Sequence, residues 1–200
     1  MKIKNVLVIP VLLLVLTAVA CGNSKSRNDR TETVDKEVIK APEFDADSAY
    51  QYIQVQADFG PRVPNTQAHK ECVAGQLEKF GAKVYNQYAD LIAYDGTILK
   101  SRNIIGAYKP ESKKRILLCA HWDSRPYADN DPDPKNHHTP ILGVNDGASG
   151  VGVLLEIARQ IQKEQPALGI DIVFFDSEDY GIPEFYDGKY KQATWCLGSQ

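Results

Sequence analysis

Several things are scarce in this chain of 200 residues, which has four cysteines, one methionine and two tryptophans. No Cys-x-x-Cys pair occurs, so a structural zinc site of that kind is excluded. Lysine and arginine number 23 against 26 aspartates and glutamates, a net charge of -3, so there is no basic footprint for nucleic acid. The short run Lys113-Lys114-Arg115 reads as a solvated strand entry. There is no Gly-x-Ser-x-Gly elbow, phosphate loop or dinucleotide fingerprint. Ser149 has no His and Asp arranged around it for a triad. The apolar run Val6–Val19 falls short of the roughly 20 residues a spanning helix needs.

That run has a different use. Lys2 and Lys4 precede it, and Ala18-Val19-Ala20-Cys21 closes it. This is the charged start, apolar middle and small-residue cleavage site of an export signal. Cys21 directly after the small residues resembles a bacterial lipoprotein signal, with Cys21 as the lipidation site. Ala18 stands where that pattern usually has Leu, so plain secretory cleavage is the alternative. The expectation is an exported protein on the periplasmic side, held to a membrane by a lipid. Residues 22–43 form a tether too polar to offset its ordering entropy. The folded domain spans 44–200.

Within the domain, Asp45 to about Phe59 reads as a helix capped by Asp47 or Ser48. Gly60–Thr66 is a rigid loop, and Thr66 or Asn65 caps a second helix through Cys72, Val73, Leu77 and Phe80. Lys83–Ala93 and Ser101–Tyr108, with a turn at Gly96, form a hairpin at one edge of a sheet. A β-α-β unit follows. Its strands are the apolar runs Arg115–Ala120 and Gly169–Phe175. Its helix carries Val151, Leu154, Leu155, Ala158 and Ile161 at helical spacing. Cys119, inside the first run, reads as a buried small hydrophobe. If the Phe174-Phe175 strand ended the sheet it would be a bare apolar edge, so the chain reads as C-terminally incomplete.

Three polar clusters sit where such a sheet places its chemistry, beyond the carboxyl ends of the strands. His121-Trp122-Asp123 combines a nitrogen ligand with a carboxylate, and Asp123 is either a ligand or the group that orients His121. Asp146 opens the central helix as a metal ligand or as its N-cap. Glu178 and Asp179 are adjacent acids on a turn, and a cation would relieve their repulsion, one ligating and the other moving protons. Asp176 and Asp146 are expected to converge nearby. His137-His138 reads as surface decoration, and the residues alone assign His69 nothing.

The order of these clusters resembles the zinc exopeptidase family that includes the M28 aminopeptidases. The details resemble its glutaminyl cyclase branch: His121-Trp122-Asp123-Ser124-Arg125-Pro126, Asp176–Gly181 and Trp195–Gln200. Phe59–Thr66, His69 and Cys72 also match it. The resemblance implies a three-layer α/β/α fold with a mixed, mostly parallel sheet. It implies Asp146 and Asp179 as zinc ligands, Glu178 as catalytic acid/base and Trp195 as a wall of the substrate pocket. A third zinc ligand, a His, is expected beyond Gln200. The leading expectation is a zinc-dependent cyclotransferase turning N-terminal Gln of peptides into pyroglutamate. A di-zinc aminopeptidase, with His121 as ligand, and an inactive truncated lipoprotein are the alternatives.

Overall fold

The computed structural model describes residues 40–72, 75–189 and 194–200. The expected export signal with Cys21, the expected tether as far as residue 39, and Val73 lie outside the described residues.

Helix α1, Ala46–Asp58, is capped by Asp45, whose carboxylate accepts the Ser48 amide at 3.0 Å. The expected cap at Asp47 or Ser48 is thus displaced; Ser48 is the residue that donates. Thr66 caps the next helix as expected. The single second helix, however, is two pieces, α2 (Gln67–Glu71) and α3 (Gln76–Lys79), with Gly75 between them at φ +71. A left-handed residue cannot continue a right-handed helix.

Strands β1 (Lys83–Ile92) and β2 (Ile98–Tyr108) pair antiparallel around the Gly96 turn. Strand β3 (Arg115–His121) and strand β4 (Gly169–Phe175) pair parallel, joined by helix α4 (Ser149–Lys163). The sheet order is β1-β2-β4-β3, with β2 and β4 antiparallel. The sheet is therefore mixed as expected. β4 is internal, between β2 and β3, so the bare apolar edge that would arise if it ended the sheet does not occur. Among the described residues the edge strands are β1 and β3. Ile116 and Leu117 are exposed on β3, and so is Cys119, contrary to its expected burial. An edge strand has one flank unpaired, so an apolar run does not guarantee burial. Cys72, Cys119 and Cys196 are all free thiols.

The five apolar residues expected on the inner face of α4 are all buried. They join Ile172 and Phe174 of β4 and Ile104 and Tyr108 of β2 in one core. Gly152 brings α4 against α1. A Cβ there would lie 2.6 Å from Ile53 and 2.9 Å from the Ala49 carbonyl, so any larger residue would push the helices apart. Buried Glu156 on α4 accepts the Asp45 amide at 3.0 Å and is paired with Arg159.

Candidate active site

β3 and β4 run parallel, so their carboxyl ends open together. His121 ends β3 opposite Phe175 of β4. Trp122 continues the ladder, donating its amide to the Phe175 carbonyl at 3.0 Å. Beyond it, fully buried Asp123 turns both oxygens onto the turn after β4. Oδ1 accepts the Glu178 amide and Oδ2 the Asp179 amide, each at 3.1 Å. Its Oδ1 also lies 3.4 Å from His121 Nδ1. Asp123 thus holds the backbone amides of both acids and borders His121.

Asp146 does not cap α4, which has no side-chain cap. It sits in a wide turn, Val144–Ala148, with extended backbone at Asp146 and φ +91 at Gly147. A Cβ on Gly147 would stand 2.7 Å from the Asp123 carbonyl and 3.2 Å from the His121 ring. Only glycine lets the backbone approach this closely. The turn swings Asp146 onto His121, with Oδ1 2.9 Å from Nε2. Buried Arg62 holds the approach to this turn. Its guanidinium donates to the carbonyls of Leu142, Gly143 and Trp122 at 2.7, 2.8 and 3.1 Å.

Glu178 follows Ser177, which takes φ +54. Glu178 Oε2 lies 3.6 Å from His121 Nδ1, and its side chain is one-third exposed. Asp179 beside it is buried, and its Oδ2 has no hydrogen-bond partner. Burial first, then the charges of Asp123 and Asp146, push Asp179 up to about 7. Burial pulls His121 down, but the hydrogen bond and charge of Asp123, with Glu178 and Asp146, outweigh it and raise His121 to about 9. Three carboxylates, Asp123, Asp146 and Glu178, thus crowd around one imidazole, and Asp179 stands beside Glu178.

This is an environment short of positive charge. Among the described residues no three His, Cys, Asp or Glu side chains already form a metal cage. The chemistry nonetheless fits a divalent cation. Asp146 and Asp179 offer hard oxygen donors, and the orphaned Asp179 Oδ2 lacks the partner a buried carboxylate oxygen needs. Glu178, partly exposed beside them, is free to move a proton.

Asp176 does not join this group, contrary to expectation. Its oxygens face β2 and α2, accepting from the amides of Arg102 and Ser177 and meeting His69 Nε2 at 2.7 Å. The His69 ring stacks on Trp122 at 4.4 Å between centroids. The residues alone give His69 no role, because a helical His shows its partner only once β4 is placed. Trp195 leans over the backbone of Gly181, with the Arg125 guanidinium 5.1 Å from its ring. Arg125 forks onto Asp129 at 2.7 and 2.6 Å and donates to the Asp179 carbonyl at 3.2 Å. His137 bonds the Asp131 carbonyl and His138 packs on Phe185, both within surface loops.

Residues 103–200 match the model of Peptidase family M28. That span, just under half of the chain, is similar to the M28 family. The chain is 72% identical to a Bacteroides thetaiotaomicron glutaminyl cyclase solved with N-acetylhistamine, with a TM-score of 0.78. That match covers 80% of this chain and 56% of the other. A structure described as a leucine aminopeptidase precursor from the same species is 71% identical, TM-score 0.79, covering 80% and 57%. A Zn-dependent exopeptidase from Parabacteroides distasonis is 62% identical, TM-score 0.78, covering 80% and 55%. The chain therefore spans little more than half the length of these solved relatives, and about a quarter of the curated relatives it matches.

Proposed function

We propose that the protein is a zinc-dependent glutaminyl-peptide cyclotransferase, closing the N-terminal Gln of peptides into pyroglutamate with release of ammonia. The observation that carries the reading is Glu178. It stands partly exposed beside a buried, unpartnered Asp179 oxygen, on a turn whose two amides Asp123 holds. The high identity to a solved glutaminyl cyclase supports the choice of substrate.

In this reading Asp146 and Asp179 hold the zinc, together with a His expected beyond Gln200. Bound zinc supplies Lewis acidity toward the side-chain amide carbonyl. Glu178 takes a proton from the α-amine as its nitrogen bonds to the side-chain carbonyl carbon. It then returns that proton to the departing amide nitrogen, which leaves as ammonia. Attack is intramolecular, so holding the chain end in place supplies much of the rate. Trp195, braced by Arg125, offers a flat wall for that purpose.

The full-length protein, incubated with a peptide beginning in Gln, is expected to yield a product lighter by one ammonia, and a chelator suppresses it. Glu178→Gln abolishes turnover with zinc retained; an active Glu178→Gln protein sinks the assignment. The second reading, a di-zinc aminopeptidase, is favoured by the contact between His121 and Asp146. It predicts loss of the whole Gln residue and two metals per chain. An unchanged peptide leaves the inactive lipoprotein.

The export signal adds the location. We propose a lipoprotein anchored at Cys21 on the periplasmic side. Labelled palmitate incorporated into the wild type and lost in Cys21→Ala supports it; a soluble, unlabelled wild type overturns it.

A further inference from the structure

Residues 194–200 return to the turn after β4 and bind it through the backbone. The Cys196 amide donates to the Glu178 carbonyl and the Leu197 amide to the Ser177 carbonyl, each at 3.1 Å. Asn103 on β2 donates to the Gly198 carbonyl at 2.6 Å. Cys196 itself takes φ +53, a left-handed conformation uncommon for a residue with a side chain. The consequence is a thiol facing the acid: Sγ lies 3.2 Å from Glu178 Oε1. The other oxygen, Oε2, faces His121 at 3.6 Å. Each oxygen of Glu178 thus has its own neighbour.

A thiol is a weak donor, but a charged acceptor strengthens the bond. The bond to Glu178, then burial, then the charge of Glu178 push the Cys196 thiol up to about 11. The sulfur accordingly keeps its proton at neutral pH and donates it. A glutamate one-third exposed has rotamers to lose, and contacts to its carboxylate limit them.

Resting on the reading of Glu178 as the proton-moving group, we propose that Cys196 is a positioning residue. Its S–H holds Oε1 of Glu178 in one orientation and leaves Oε2 to meet the substrate amine. The role falls to hydrogen-bond donation from the side chain at 196, not to thiolate chemistry.

The test uses the full-length, zinc-loaded protein and its Cys196→Ala and Cys196→Ser variants on a Gln-starting peptide. Cys196→Ala is expected to lower kcat about tenfold with KM within about twofold, the pattern of a misaimed acid rather than weaker binding. Cys196→Ser, whose hydroxyl donates to the same oxygen, is expected to recover kcat to within about threefold of wild type. Both variants are expected to keep zinc and to melt within a few degrees of wild type. An unchanged kcat in Cys196→Ala, a loss in KM alone, or a serine variant as slow as alanine overturns the proposal. A wild type that releases no ammonia overturns the cyclase reading instead.

Discussion

His69 Nε2 and Asp176 Oδ1 meet at 2.7 Å with both side chains almost wholly buried. The pair ties α2 to the first residue of the turn that carries Glu178 and Asp179. Trp122, stacked on His69, is the residue between His121 and Asp123. One residue, His69, therefore braces both strand ends that build the site.

His69→Ala is expected to cost about 3 kcal/mol of unfolding free energy, because it strands a buried carboxylate. The measurement is the urea midpoint, with the slope checked for constancy. A cost below about 1 kcal/mol would mean that the amides of Arg102 and Ser177 satisfy Asp176 unaided.

Gly147→Ala tests the close approach that delivers Asp146 to His121. The new Cβ would meet a carbonyl at 2.7 Å and sit at φ +91. Destabilisation of about 1–3 kcal/mol is expected from the backbone strain. Zinc content, read by mass spectrometry of the metal, should fall with it, because the turn must move away from Asp179. A variant with full zinc content would show that Asp146 is not needed as a ligand.

Much of this arrangement was legible in the sequence. The β-α-β unit announced itself because the core residues of α4 and β4 face apolar surroundings, so periodicity and burial agree. Asp146, Glu178 and Asp179 stood out as candidates because each lies just past a strand or before a helix. What stayed hidden depended on tertiary placement. Asp176 differs from Asp179 only in the direction it points after β4, and a positive φ at Ser177 decides that. Cys119 reads apolar and local, yet its exposure is fixed by the order of strands. Asp146 has the spacing of an N-cap, and only the wide turn at Gly147 reveals that it faces His121.

Arg62→Lys addresses the loops rather than the acids. The guanidinium joins the carbonyls of Trp122, Leu142 and Gly143, and a single ammonium cannot span them. The expected loss is about 2 kcal/mol, from buried carbonyls left without donors. Thermal unfolding measures it. A melting point within about two degrees of wild type would show that water replaces the fork.

The most direct test of the charge imbalance is the pH dependence of the metal-stripped protein. Asp179 rises to about 7 in the fold, through burial and then the charges of Asp123 and Asp146. An unfolded Asp titrates near about 3.9. A folded pKa raised above the unfolded one favours the fold at low pH, and that contribution is lost as pH rises through about 7. Stripped wild type is therefore expected to lose stability relative to stripped Asp179→Asn between about pH 4 and 7. Asp123, Asp146, Glu178 and Arg125 face the position in both proteins, so the difference isolates Asp179. Zinc should reverse the sign for wild type alone, since it binds the ionised carboxylate and releases a proton. Parallel stability curves for the two stripped proteins would refute the raised Asp179, and with it the argument that this pocket calls for a cation.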